Sequence, residues 1–505
     1  MARYLFVNPV GTDTWDAQDE AYLRSLVAPG DEVRVASLTY GPPAVDTETR
    51  LVEAEYGVAA LLDVLAEAGR APERGPGRDV YDAVVINCCA DPGLAPGREL
   101  LACPVLGAGE TALALAPLFG EGVAVLAPDE NAAVMFRRYL RRLGLEGMVG
   151  GIYPLGVAVA DLERQPDRTV ECTVRAALRA HEEANAQVMV LGCTGLAPLA
   201  PRVAAVLEGM GLVVLEPMAL AFRAAQVLVR LGLSHFRGGL YAPYREPPVG
   251  RIQGYGAEGT SGPGEQAGVF TGGPGGRIGG DPDPVDVLLV NPVVSPGLLS
   301  WVPEYAHTVL PPWTRVHVKD ITEGPPCIET FYQEACARPG VVRAARGEEG
   351  AFDVSVVNCF ADPAVRALRE STGRPALGLA EASCRLALLL GHRFGVVSTG
   401  RNAGPWTELQ VREMGLTQRL AGAVGIDIGV LELSSDEAVT AEAIVSEARN
   451  LVGRAGAEVI VLGCGAMAKM AGAVAQKLDV PVLEPLAVAL NLADLVGRAR
   501  PWRKR

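Results

Sequence analysis

The sequence is poor in the residues that usually bind metals and nucleic acids. Histidine occurs only five times in 505 residues, and the ten cysteines form no C-x-x-C pair, so the ligand spacing typical of zinc sites is missing. Acidic residues outnumber basic ones by 59 to 45, which gives a net charge of −14 and argues against a nucleic-acid groove or an anionic membrane surface as a partner. We therefore expect no metal site and a small-molecule ligand.

Long apolar runs are missing as well. No run approaches the roughly 20 residues that a transmembrane helix needs. The first residues, MARYLFVNPVGTDTWD, turn acidic after a few apolar positions, which is typical of a first β-strand and not of a signal peptide. We expect no membrane segment and a cytoplasmic protein in which the cysteines stay reduced.

What the sequence does contain is one series of phrases written twice in the same order. The first series is RYLFVNP, GPPAVDT, VINCCADP, PVLGAGETA, VMVLGCTGLA and VVLEPMALA. The second series is VLLVNP, GPPCIET, VVNCFADP, PALGLAEAS, VIVLGCGAMA and PVLEPLAVA. The spacing repeats too, because Cys88 and Cys193 are 105 positions apart and so are Cys359 and Cys464. The chain is therefore a tandem duplication.

The repeats set the domain boundaries. The first copy spans 1–240 and the second spans 285–505, and residues 241–284 between them are rich in Gly and Pro without a periodic apolar face, as in a flexible linker. The first copy also carries about a dozen extra residues around 68–79, which are Gly-, Pro- and Arg-rich and typical of a loop. Each copy is long enough for its own apolar core.

Within each copy, short apolar runs such as DAVVIN, GVAVLAP and AQVMVLGC alternate with stretches of helical period such as 131-NAAVMFRRYLRRLGL-145. Continuous apolar strands separated by helices indicate a parallel, doubly wound α/β architecture. There are enough strands for two such lobes in each copy. In open α/β sheets the ligand crevice lies beyond the carboxyl ends of the strands, so Cys88 and Cys193 should point into a cleft between the two lobes.

Two strand-end cysteines that face each other suit acid/base chemistry. A thiol at a helix N-terminus meets unpaired N–H groups and the positive end of the helix dipole, which favour the thiolate. One thiolate can remove a proton from a substrate carbon while the opposite thiol delivers one, and N–H donors can stabilise the enolate-like intermediate. This chemistry requires no cofactor.

The alternative for any single cysteine is packing in the core. We keep that interpretation for the five cysteines without a partner in the other copy, which are Cys103, Cys172, Cys327, Cys336 and Cys384. Cys89 is also expected to pack, because its counterpart is Phe360. Only Cys88 has a cysteine in register, and it is the candidate acid/base residue of its phrase.

The cysteine phrases resemble those of the aspartate/glutamate racemase superfamily, and most closely its hydantoin racemase branch. Members carry a first cysteine in a phrase like C-F-x-D-P and a second in L-G-C-x-G-M; here the matches are CCADPG and LGCTGLA in the first copy, and CFADP and LGCGAMA in the second. The resemblance implies two tandem racemase-like domains, each with two α/β lobes around a cleft. It also implies a cofactor-independent racemase that acts on a carbon next to a carbonyl, with a hydantoin or related amino-acid derivative as substrate.

On this resemblance, Cys88 and Cys193 are the acid/base pair of the first copy, and Cys359 and Cys464 are that of the second. The resemblance also implies substrate-binding roles for five polar residues, which are Asn8, Thr111, Thr194, Asn291 and Ser383. Each of these five could instead be a helix cap or a turn residue.

Several alternatives stay open. The amino-acid racemases of the superfamily follow the second cysteine with Thr-His, whereas this chain has Thr194-Gly195 and Gly465-Ala466, which disfavours glutamate or aspartate as the substrate. Decarboxylases and cis–trans isomerases of the superfamily use the same cysteines, and a metabolite-binding protein without turnover is a third hypothesis. One copy could be inactive. The two copies could pack as a pseudo-dimer, and a higher oligomer is open.

Two pairs of carboxylates, each pair at matching positions in the two copies, also have two interpretations. Asp46 and Glu329 follow the Gly-Pro-Pro turns, and Glu216 and Glu484 occupy the LEP phrases. Each carboxylate could line a cleft or could only begin a helix, where a negative charge is favourable.

Overall fold

The computed structural model describes residues 1–69, 80–242, 284–295, 299–348 and 350–499. The expected linker over 241–284 lies outside these ranges except for its ends, and so does most of the expected loop around 68–79. Across the described ranges, none of the helices combines the length and the apolar character needed to cross a bilayer.

The first copy has two four-stranded parallel sheets. The first sheet has the order β2-β1-β3-β4 and the second has the order β6-β5-β7-β8. The strands are β1 (Arg3–Asn8), β2 (Glu32–Ser37), β3 (Ala83–Ile86), β4 (Val105–Gly107), β5 (Val123–Ala127), β6 (Val149–Pro154), β7 (Val188–Leu191) and β8 (Val213–Leu215). The helices are α1 (Asp16–Arg24), α2 (Glu48–Gly69), α3 (Leu94–Leu100), α4 (Ala108–Leu115), α5 (Glu130–Leu143), α6 (Pro166–Ala184), α7 (Ala200–Leu207) and α8 (Pro217–Arg230).

The second copy repeats this topology. Its sheets have the orders β10-β9-β11-β12 and β14-β13-β15-β16, and all strand pairs are parallel. The strands are β9 (Val285–Asn291), β10 (Thr314–Asp320), β11 (Val354–Val357), β12 (Ala376–Gly378), β13 (Phe394–Ser398), β14 (Leu420–Gly425), β15 (Val459–Leu462) and β16 (Val482–Leu483). The helices are α9 (Val302–Val309), α10 (Phe331–Arg346), α11 (Val365–Thr372), α12 (Leu379–Ala387), α13 (Ala403–Glu413), α14 (Glu437–Ala455), α15 (Ala468–Ala475) and α16 (Pro485–Arg498).

The central strands are apolar because helices cover both faces of each sheet. Every residue of β3, β5 and β7 is buried, as parallel sheets in α/β proteins require. The predicted α/β fold with two lobes in each copy is therefore confirmed.

The two copies share one apolar core. A single cluster of buried side chains includes Leu115 and Phe222 from the first copy together with Leu388 and Leu490 from the second. Helix α16 is buried along nearly its whole length, and it packs against α8 while α4 packs against α12. Packing between the copies through these four helices leaves the lobes free to form a separate cleft in each copy.

Candidate active site

Each copy has a cavity between its two lobes, and the predicted cysteines line both cavities. In the first copy Cys88 follows β3 and Cys193 follows β7, and the cavity has a volume of about 220 Å³. In the second copy Cys359 follows β11 and Cys464 follows β15, and the cavity has a volume of about 320 Å³. The structure therefore brings together each pair of cysteines that the sequence predicted.

The turn after Cys88 is held by the carboxylate of Asp91. This carboxylate accepts hydrogen bonds from the backbone N–H groups of Gly109 (2.9 Å) and Glu110 (2.6 Å), and the Tyr139 hydroxyl donates to it as well. Asp91 has a φ of +50°, in the left-handed region that aspartate tolerates better than most residues. Gly107 makes room for it, since a Cβ there would lie 2.1 Å from the Asp91 carboxyl carbon. Asp91 thus ties the cysteine turn to the start of α4.

The second copy repeats this arrangement around Asp362. Its carboxylate accepts from the backbone N–H groups of Ala380 (2.9 Å) and Glu381 (2.8 Å), and a Cβ on Gly378 would lie 2.0 Å from its carboxyl carbon. The Ala-Asp-Pro part of the repeated phrase therefore has a structural role, fixing where each first cysteine lies. Sequence reasoning missed this role.

Burial controls the acidity of the four thiols. It raises the pKa of Cys88 to about 12, against the opposing effect of hydrogen bonds from the backbone N–H groups of Ala90 and Asp91. Burial likewise raises the pKa of Cys193 to about 11, opposed by the N–H of Gly195. The N–H donors that the sequence predicted are thus present, but the cost of desolvating a buried thiolate outweighs them.

The second pair behaves in the same way. Burial raises the pKa of Cys464 to about 11 although the N–H groups of Ala466 and Met467 face the sulfur, and it places the pKa of Cys359 well above its ordinary value. Both thiols of each cleft are therefore protonated at neutral pH.

Asn8 and Asn291 contact the residues that directly precede the first cysteines, Asn87 and Asn358. The Asn8 amide nitrogen donates to Asp16 (2.9 Å) and Asp19 (3.1 Å), and the Asn8 amide oxygen accepts from Asn87 (2.7 Å). Because the carboxylates fix which end of Asn8 is the donor, they also fix the orientation of Asn87. The Asn87 amide oxygen has no hydrogen-bond partner among the described residues.

The same series of hydrogen bonds recurs in the second copy. Asn291 donates to Asp320 (2.7 Å) and accepts from Asn358 (2.9 Å). Asn358 lines the second cavity, and its buried amide oxygen again has no partner in the described part of the chain. Asn87 and Asn358, which directly precede the first cysteines, were missed, although the repeated Asn-Cys pair was a signal for them. Substrate contact by Asn8 and Asn291 stays a prediction.

The three hydroxyl residues have different positions. Thr194 lines the first cavity and donates to the carbonyl oxygen of Asn87 (3.1 Å). Thr111 and Ser383 are fully buried in α4 and α12, and their hydroxyls have no partner among the described residues. They are also out of register, because the offset of 271 positions between Cys88 and Cys359 aligns Thr111 with an alanine. Their role as substrate-binding residues stays a prediction.

Two further cysteines need comment. Cys89 is buried, and its sulfur lies 3.6 Å from the Leu191 carbonyl oxygen of the other lobe. It also lines the first cavity, so its expected packing role stays a prediction. Cys327 was expected to be a core residue without relation to a site. It is buried, but it lines the second cavity, where its thiol donates to Glu329 (3.4 Å). Its counterpart in the first copy is Ala44, so the comparison of the copies could not reveal it.

Of the paired carboxylates, only Glu329 lines a cysteine cavity. Glu216 accepts from the N–H groups of Met218 (2.7 Å) and Ala219 (2.8 Å), which makes it the cap of α8. Glu484 caps α16 in the same way. In the described ranges, no group of three His, Cys, Asp or Glu side chains is arranged to hold a metal ion.

Comparison with known proteins agrees with the duplication. The family model described as Asp/Glu/Hydantoin racemase matches residues 5–225 and 287–493. A hydantoin racemase of Paenarthrobacter aurescens is 33% identical over 212 residues, which are 41% of this chain and 89% of that protein. A hydantoin racemase of Pseudomonas sp. (strain NS671) is 29% identical over 211 residues, which are 42% of this chain and 85% of that protein.

Among solved structures, an allantoin racemase from Klebsiella pneumoniae is 24% identical, with a TM-score of 0.45, and the match covers 50% of this chain and 96% of that one. The two hydantoin racemases each match a length of this chain close to that of one copy. Since the family model matches both copies along nearly their whole length, the chain belongs to the Asp/Glu/hydantoin racemase family, as an isomerase in which the family's domain is present twice.

Proposed function

We propose that each copy is a cofactor-independent racemase that inverts a carbon next to a carbonyl in a 5-substituted hydantoin or a related cyclic amide. The observation that carries this proposal is the pairing of Cys88 with Cys193, and of Cys359 with Cys464, across one cavity in each copy. The two cysteines of a pair come from different lobes, so a substrate between them has one thiol on each face.

In the proposed reaction one cysteine first loses its proton to solvent; as the thiolate it then removes the proton from the substrate carbon and becomes a thiol. The electron pair left on carbon delocalises onto the neighbouring carbonyl oxygen as an enolate. The opposite thiol then gives its proton to the other face of the carbon and becomes the thiolate. Charge and protons balance, and the next turnover runs in the reverse sense. Backbone N–H groups of the cysteine turns, such as those of Ala90 and Gly195, stabilise the thiolates.

The proposed substrate class rests on the residues beside the second cysteine. Gly195 and Ala466 stand where the amino-acid racemases of the superfamily carry histidine, which disfavours a free amino acid with an acidic side chain. A carbon between a ring nitrogen and a ring carbonyl is also a stronger carbon acid than the α-carbon of a free amino acid, because its carbonyl is not a carboxylate. The two cavities have volumes suited to a small ring compound.

The test is a panel of hydantoins and amino acids in deuterium oxide, followed by NMR for loss of the α-proton signal and by polarimetry. A racemase incorporates solvent deuterium into recovered substrate and loses optical rotation. Release of carbon dioxide from a malonate-type substrate without such exchange would support a decarboxylase instead.

Two double variants assign the cysteines. Cys88→Ser with Cys193→Ser leaves only the second cleft, and Cys359→Ser with Cys464→Ser leaves only the first. We expect each double variant to keep the turnover of its intact cleft and the quadruple variant to have none. Turnover in the quadruple variant at the rate of the unaltered protein would exclude the proposed chemistry.

A further inference from the structure

The two clefts carry different charges. The charged residues that line the first cavity are Glu48, Arg138 and Arg142, whereas those that line the second are Glu329 and Arg401. In the first cleft Arg138 pairs with Glu48 (2.6 Å), and Arg142 has no carboxylate partner among the described residues, its guanidinium lying over the Tyr139 ring at 4.9 Å. The first cleft therefore retains one unbalanced positive charge.

The second cleft retains the opposite charge. Arg401 is paired with Asp427 (2.6 Å), so it does not neutralise Glu329. Within the described part of the chain, no basic side chain lies within ion-pair distance of Glu329. Its carboxylate instead accepts from the Val430 N–H (3.0 Å) and from the Cys327 thiol (3.4 Å).

The first copy differs at the corresponding carboxylate. Asp46, which corresponds to Glu329, forms a close pair with Arg50 one helical turn later (2.6 Å). The residue in register with Arg50 is Gln333, and its side-chain oxygen accepts from the backbone N–H of Glu329 (2.8 Å). The neutralising charge of the first copy is therefore absent from this position of the second, where the Gln333 side chain instead accepts from the Glu329 backbone.

An aromatic residue lines the same cavity as this carboxylate. Trp406 stands there in place of Met135 of the first copy, and Phe331, which replaces Glu48, packs against Trp406 without being among the residues that line the cavity. The two rings lie 4.6 Å apart between centroids. An aromatic face next to a carboxylate is a favourable environment for an ammonium or guanidinium group, because the ring quadrupole and the carboxylate attract the same charge.

On the basis of the proposed racemase function, we propose that Glu329 is the specificity-determining residue of the second cleft and selects ring substrates whose side chain is cationic. The aminoalkyl or guanidinoalkyl chain extends along Trp406 and ends at the Glu329 carboxylate, while the ring stays between Cys359 and Cys464. The first cleft, with Arg142 at its wall, disfavours such substrates and accepts neutral or anionic side chains.

The test uses the full chain with Cys88→Ser and Cys193→Ser, so that only the second cleft turns over. Three hydantoins of matched length are compared, with an aminobutyl, a pentyl and a carboxybutyl side chain, and kcat/KM is measured from α-proton exchange in deuterium oxide. We expect the aminobutyl compound to be preferred over the pentyl compound. Glu329→Gln should lower this preference about fivefold, as for a partly exposed ion pair.

Gln333→Arg is the matched control, because it recreates the Asp46–Arg50 pair next to Glu329. It should reduce the preference to the same extent. An equal preference in the parent, Glu329→Gln and Gln333→Arg proteins would overturn the inference while turnover of the pentyl compound still supported a racemase. Calorimetric binding of the same hydantoins to the quadruple cysteine variant, with and without Glu329→Gln, measures the preference even if no hydantoin is turned over.

Discussion

Asp91→Ala should destabilise the protein more than the corresponding change Asp362→Ala. Asp91 accepts from two buried N–H groups at the start of α4 and from the Tyr139 hydroxyl. Among the described residues, Asp362 accepts from two N–H groups only, since Gln410 replaces Tyr139 and donates to the Phe360 carbonyl oxygen instead (3.0 Å). A buried donor left unsatisfied costs about 1–3 kcal/mol, so Asp91→Ala should cost about 1–3 kcal/mol more than Asp362→Ala.

Urea denaturation followed by far-UV circular dichroism measures both free energies of unfolding. Tyr139→Phe completes the comparison, because it removes the hydroxyl that Asp91→Ala orphans. In the Tyr139→Phe background, Asp91→Ala should cost less by the same 1–3 kcal/mol, and the two copies should then respond alike. Equal costs for Asp91→Ala and Asp362→Ala, or an Asp91→Ala cost that does not depend on Tyr139, would refute the assignment of this hydrogen bond.

Four carboxyl groups set the pH dependence of stability. In the folded protein, burial raises the pKa to about 6 for Asp19, to about 7 for Asp91 and Glu216, and to about 8 for Asp362. Because each binds its proton more tightly in the folded state, their contribution is complete below pH 4 and is lost as the pH rises to 8; the melting temperature at pH 8 should lie below that at pH 5.5, and a rise would contradict this. Gly465→Ala should lower the free energy of unfolding by about 1–3 kcal/mol, because the added Cβ would lie 2.7 Å from the Asn358 amide oxygen. In the control variant Gly453→Ala, on α14, the added Cβ has nothing within 4 Å, so this change should be neutral or stabilising in the same urea assay. In the variant with Cys359→Ser and Cys464→Ser only the first cleft turns over. Its kcat/KM should keep rising from pH 7 to pH 10, because burial raises the pKa of the Cys193 thiol to about 11. A plateau below pH 8 would show that this thiol ionises more easily in the free enzyme.

The sequence was most informative where a residue's environment follows from its neighbours in the chain. Buried strands such as β7 are continuous apolar runs, so their ends, and the cysteines that follow them, could be located from the sequence. The equal spacing of Cys88–Cys193 and Cys359–Cys464 then indicated which cysteines belong together. The positions of the strand ends follow from the local apolar pattern, and the pairing of the cysteines follows from the repeat, which the two copies retain in the folded structure.

The sequence could not show which of several polar residues near a strand end faces the cleft. Asn8 ends β1, but the neighbouring turn places Asn87 between it and the cysteine region. The thiol pKa values depend on burial by both lobes, which only the closed cavity reveals. Cys327 likewise reaches the second cavity through the Gly-Pro-Pro turn, whose path the residue types alone do not fix.

Between the two copies, the residues that hold the cysteine turns are alike, whereas residues of the cavity walls differ. The turn-forming Asp91 and its glycine recur as Asp362 and Gly378, with nearly the same hydrogen bonds. The cavity-wall residues differ instead, as in the pairs Met135 and Trp406 and Thr194 and Gly465. A copy retained only as a scaffold could keep this turn for stability, but it would not need to keep both Cys359 and Cys464 on one cavity. The pattern is what the proposed pair of working clefts, with one chemistry and different substrates, predicts for two copies joined by the shared core of α4, α8, α12 and α16.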